Sequence, residues 1–128
     1  MPTITFWFWL LFATTLVLLG ATLASGFRGR RRMHLRLAPV LLAALGITIV
    51  LAERMGEARR FPAAEMRIHL WFAKSATLLV LPVVVSGLLL LRRPGARIWH
   101  RVAVLVFLAA ALTATGTGIW AYSLSVPR

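Results

Sequence analysis

The stretch Gly26-Phe27-Arg28-Gly29-Arg30-Arg31-Arg32-Met33-His34-Leu35-Arg36 sets five arginines and a histidine between two long apolar runs. Once it is assigned to one side of a membrane, the orientation of the whole chain follows. The run before it, Ile4 to Leu23, is about 20 residues long, enough to cross about 30 Å of hydrocarbon. It opens on Phe6-Trp7-Phe8-Trp9, the aromatic type found at membrane interfaces. A cleavable leader is the competing reading, because Ala21-Thr22-Leu23-Ala24-Ser25 is small enough to be cut. A leader, however, carries its positive charge before the apolar run, and here the charge follows it. The expectation is a retained helix over residues 4–24 with its N-terminus outside.

Composition points the same way. A hydrophobic fraction of 60% and a mean hydropathy of +0.85 exceed what a soluble fold of 128 residues can bury. The expectation is a single integral membrane domain over residues 1–128. A formal charge of +12 would suggest nucleic acid in a soluble protein. Here the arginines lie between apolar runs and the loops lack stacking aromatics, so anionic lipid headgroups are the expected counterion and no nucleic-acid partner is predicted. There are no cysteines, which excludes disulfides, thiolate metal sites and covalently attached c-type haem.

Beyond an arginine loop over residues 28–36, Leu37 to Ala52 forms a second run of about 16 residues, short for a crossing unless its flanks snorkel. Arg36 and His34 can do so at one end and Arg54 at the other. The helix is expected over 37–53, with Pro39 in its first turn, where a missing N–H costs little. A polar connection over Glu53 to Arg67 holds all three acids, Glu53, Glu57 and Glu65, with a break at Phe61-Pro62. The third helix, 68–91, contains Lys74 and Pro82, and the proline predicts a kink that frees the Leu78 carbonyl. A Pro-Gly turn within Arg92 to Arg101 leads to the last helix, 100–124, which ends at Trp120 and Tyr122.

Counting Lys and Arg on each side sets the orientation. The first and third loops carry nine, Arg28, Arg30, Arg31, Arg32, Arg36, Arg92, Arg93, Arg97 and Arg101, against five in the second loop and the tail. The predicted fold is therefore all-α, a four-transmembrane-helix bundle running up-down-up-down with both termini extracytoplasmic. The expected location is a bacterial plasma membrane.

Lipid offers no hydrophobic drive between helices, so small residues must let them approach. Ala103, Ala111, Ala114 and Gly118 fall within about 60° of His100 around the last helix, which points His100 into the bundle. Gly20 and Ala24 make a second small-residue face in the first helix.

Few residues carry candidate chemistry. His34 and His100 sit at the same predicted depth, and two imidazoles can supply both axial ligands of a b-type haem. Arg36 and Arg101 are candidates to pair with its propionates. The alternative is that both histidines lie at the interface against lipid phosphate. His69 stands one turn after Glu65 at the outer end of the third helix, and a carboxylate such as Glu53 could join it in a divalent-metal site, although the ligand set is poor. Lys74 lies about 8 Å deeper, where an ionisable group is a functional candidate. Ser75, Thr77 and Ser86 point in different directions and form no continuous polar path. No nucleophile–base pair, phosphate loop or HExxH motif is present. An enzyme is not expected.

The run Arg30-Arg31-Arg32-Met33-His34-Leu35-Arg36, the mid-helix Pro82, and His100-Arg101 opening a last helix that closes with Thr115-Gly116-Thr117-Gly118 resemble the CtaM-type family of small four-helix membrane proteins. That resemblance implies a part in maturation of haem-copper cytochrome oxidases. The chain departs from the family at Glu53-Arg54, where a further histidine would stand, and in a longer spacing between His69 and Pro82. Residues His69 to His100 also resemble a helix pair of the transmembrane dihaem b-type cytochromes, but three histidines cannot complete two bis-histidine haems. Three roles remain open: an accessory or assembly factor of a respiratory complex, a carrier of one b-type haem, and a structural small subunit docked on a membrane partner or on copies of itself.

Overall fold

The computed structural model describes residues 3–128, and its four long helices are α1 (Ile4–Phe27), α2 (Arg31–Glu57), α3 (Ala63–Arg92) and α4 (Arg97–Ser123). Each is long and apolar enough to cross a membrane. The chain is an all-α, polytopic membrane protein. Its contacts divide it into two compact units at Arg59/Arg60. Each unit is an antiparallel helical hairpin, α1 with α2 and α3 with α4.

The burial pattern is the reverse of a water-soluble fold. Leu78, Trp71 and Val17 are more than 70% exposed. Apart from Phe8 and Met55, the buried positions are small or hydroxylated, among them Thr15, Thr22, Ser25 and Thr48 in the first hairpin and Ala76, Ser86, Ala114 and Ala121 in the second. A surface of large aliphatics around a core of Ala, Ser and Thr is what lipid as solvent demands, because small residues let the helices meet and the hydroxyls find partners there. Thr15 and Thr48 show the result, their Oγ1 atoms lying 2.9 Å apart across the hairpin while each also reaches the carbonyl four residues back, Leu11 and Ala44. Phe8, Thr15 and Thr22 recur every seven residues, the spacing of a left-handed helix crossing.

The helices outrun the apolar stretches. Residues Arg31 to Arg36 belong to α2, so the expected nine-residue arginine loop shrinks to Arg28–Arg30. Arginine is a good helix former, and a helix has no reason to stop where hydrocarbon ends and headgroups begin. Pro39 is consequently the ninth residue of α2 and not part of its first turn. The extension also removes the length problem, since α2 has 27 residues. The second loop shortens to 58–62, with Pro62 as the N-cap of α3, and the third becomes Arg93 and a 3-10 turn, Pro94–Ala96. Helix α3 runs unbroken through Pro82. Two two-residue strands, β1 (Arg59–Arg60) and β2 (Val126–Pro127), complete the elements.

The first hairpin turns on Gly29, at φ +68° the one residue with positive φ among those described. The Arg30 N–H reaches back to the Ser25 carbonyl (2.9 Å) and the Gly29 N–H to that of Gly26 (3.2 Å). These two bonds form a Schellman motif, which closes α1 and lets α2 begin two residues later.

Candidate functional site

All three histidines bond across their own hairpin, each through Nδ1. In the first, His34 Nδ1 lies 2.9 Å from the Thr22 carbonyl oxygen and 3.4 Å from Ser25 Oγ. Ser25 Oγ itself donates to the Thr22 carbonyl (2.7 Å). In the second, His100 Nδ1 is 3.0 Å from Ser86 Oγ, which donates to the Val83 carbonyl (3.1 Å). His69, at the other end of the same hairpin, places Nδ1 3.0 Å from the Ala114 carbonyl oxygen.

These partners fix the tautomer. A carbonyl only accepts, so the ring proton of His34 and of His69 is on Nδ1. The Ser86 hydroxyl proton points to Val83, which leaves its oxygen to accept from His100 in the same way. In the neutral form of each ring the lone pair is therefore on Nε2. This is the arrangement that orients an imidazole as a donor to a metal, with the opposite nitrogen anchored to the protein.

A glycine lies under each ring. A Cβ added at Gly26 would stand 3.2 Å from His34 Nδ1, and one at Gly87 3.2 Å from His100 Cε1. At Gly118 it would stand 2.9 Å from His69 Cε1. The three close approaches explain why these helices carry glycine despite its low helix propensity. Gly20 is different: it is exposed and its Cβ position is open, so the Gly20/Ala24 face predicted for α1 is not where α1 packs. The α1 contact runs through Thr15, Thr22 and Ser25, because these hydroxyls need protein partners and glycine at a lipid-facing position does not. In α4, Ala114 and Gly118 do face α3, joined by Ala121, which is fully buried.

The two hairpins repeat one design. Ser86-Gly87 lies 61 residues after Ser25-Gly26, and buried Ala76 stands at the same offset from buried Thr15. On the partner helices His100, Ala114 and Ala121 each lie 66 residues after His34, Thr48 and Met55. The carbonyls that end the two histidine networks, Thr22 and Val83, share the first offset. His69 takes the place of Phe8, so the second hairpin has an imidazole at both ends and the first at one. The sequence contained the signal: a Ser-Gly pair late in an apolar run, then arginines, then one histidine opening the next helix. It is easily missed because little else in the two halves is identical.

The other candidate residues stand apart from these networks. Arg36 and Arg101 are exposed, and Arg36 lies about 200° around α2 from His34. Lys74 is exposed on α3 and Glu53 on α2. The His69 ring is turned to α4 and not along its own helix to Glu65. Ser75 and Thr77 bond back to the carbonyls of Trp71 and Ala73. Arg54 and Glu57 form an exposed ion pair at 3.6 Å. Among the described residues no three His, Asp or Glu side chains gather into a metal cage. A shallow groove on α3, lined by Ile68, Trp71, Phe72 and Ser75, has no charged residue in its lining.

Comparison with family models, curated proteins and solved structures finds no match to this chain.

Proposed function

We propose that this chain is a non-enzymatic accessory or assembly factor of a respiratory membrane complex, a haem-copper oxidase foremost, with its two arginine turns on the cytoplasmic side of a bacterial plasma membrane. The observation that carries the reading is the set of anchored imidazoles. Three histidines near helix ends, each anchored through Nδ1, are the kind of donor that a protein handling haem or a metal ion at the membrane surface needs. The resemblance of the His34 and His100 segments to CtaM-type proteins favours an oxidase as the partner. The arginine excess at the hairpin turns favours their cytoplasmic placement.

Deleting the gene tests this reading. Haem-copper oxidase activity should fall while the other membrane complexes keep theirs. Normal oxidase levels in the deletion strain would end the assembly role.

The anchored imidazoles also favour a second reading, an electron carrier with b-type haem, because histidine is an axial ligand of haem iron. The residues fit that group in donor chemistry. A reduced-minus-oxidised visible spectrum of protein expressed with ample haem separates the two readings. Absence of a haem band excludes the carrier, and a band lost in a His34→Ala or a His100→Ala variant supports it.

A further inference from the structure

The first hairpin carries a groove that adjoins the His34 network at Ser25. It lies at the arginine turn, has a volume of about 200 Å³, and is lined by Ala21, Ala24, Ser25, Arg28, Arg30 and Met33. Its floor is apolar or already satisfied, since Ser25 Oγ is committed to the Thr22 carbonyl. Its rim is cationic. No carboxylate side chain stands near this turn: no Asp or Glu occurs before Glu53, which lies about 33 Å along α2 from Arg31.

We propose that this groove is a specific site for an anionic phospholipid, with the phosphate between Arg28 and Arg30 and the upper acyl chain against Ala21, Ala24 and Met33. The charge complementarity selects the occupant. Guanidinium groups without a protein carboxylate pair with phosphate oxygens in a fork geometry that lysine cannot reproduce. Basic pockets between membrane helices take such headgroups for the same reason. The apolar floor excludes a free anion as the natural ligand, because inorganic phosphate would leave it uncovered. Alanines at 21 and 24 make room for a chain that larger side chains would fill.

The test uses the full-length protein in detergent with phosphatidylglycerol or phosphatidylcholine of identical acyl chains, followed by thermal unfolding and native mass spectrometry. Phosphatidylglycerol should raise Tm and remain bound in the mass spectrum, and phosphatidylcholine should do neither. An Arg28→Gln/Arg30→Gln variant should lose most of the shift and the retained lipid, whereas Arg92→Gln/Arg93→Gln should keep both. Ala24→Phe, which fills the groove and leaves the charge, should also lose the retained lipid. If that variant does not fold, Arg30→Gln alone decides by its retained lipid. Equal shifts with both lipids, full retention in the Arg28/Arg30 variant, or a shift reproduced by inorganic phosphate would each overturn the proposal.

Discussion

The His69 ring lies so close over Gly118 that a Cβ there would stand 2.9 Å from Cε1 and 3.0 Å from Nδ1. The ring cannot simply rotate away, because Nδ1 is held by the Ala114 carbonyl one turn earlier in the same helix. Glycine and histidine are thus two halves of one contact between α3 and α4. A Gly118→Ala substitution should lower stability by about 1–3 kcal/mol, the usual cost of overpacking a close contact. In a His69→Ala background the same substitution should become neutral. Thermal unfolding of the two single variants and the double variant measures the coupling, and additive effects would show that the contact does not exist.

The remaining glycines should rank by the space above them. Gly26→Ala and Gly87→Ala meet a histidine ring at 3.2 Å, a few tenths of an ångström too close, and should cost less than Gly118→Ala. Gly20→Ala meets nothing and should stabilise α1 by up to about 1 kcal/mol through helix propensity. The order of the four melting temperatures checks this. A Gly20→Ala variant as damaged as Gly118→Ala would contradict the helix faces described above.

Gly29 is required for a different reason. Its φ of +68° is a conformation in which a Cβ crowds the following carbonyl oxygen. Gly29→Ala should cost about 1–2 kcal/mol, and Gly29→Asn less, since asparagine tolerates the left-handed region. Both are read by thermal unfolding in detergent, with equal effects counting against the backbone explanation.

The Thr15–Thr48 bond joins α1 to α2 at mid-hairpin. Each hydroxyl also reaches its own helix carbonyl, so removing one partner leaves the other satisfied. A double-mutant cycle with Thr15→Ala and Thr48→Val should therefore give a coupling of only about 0.6 kcal/mol, typical of hydrogen bonds between membrane helices. A coupling of several kcal/mol would mean that the two hydroxyls depend wholly on each other.

Imidazole nitrogen chemical shifts test the tautomers directly. Protein labelled with 15N-histidine should show all three rings protonated on Nδ1. An Nε2-protonated ring at His34 or His69 would require its bond to the carbonyl to be absent, and would remove that residue as a donor.

The sequence alone determined the number of spans, their apolar character and the concentration of arginine at the two hairpin turns. Hydropathy and charge are properties of one segment at a time, and a run such as Ile4 to Leu23 is readable without knowing its neighbour. The sequence also placed His34, His69 and His100 at helix ends. It misjudged the extent of the arginine loop, because Arg31 to Arg36 have the same composition whether helical or not, and the Schellman turn at Gly29 is what starts α2 early. Only the tertiary structure decided which atoms the histidines reach, why Gly26, Gly87 and Gly118 are glycines, and that Thr15 meets Thr48. Those are relations between two helices, set by the level at which residues come opposite each other. In a lipid-solvated hairpin nearly all such relations are polar or small-residue contacts, and hydropathy does not report them.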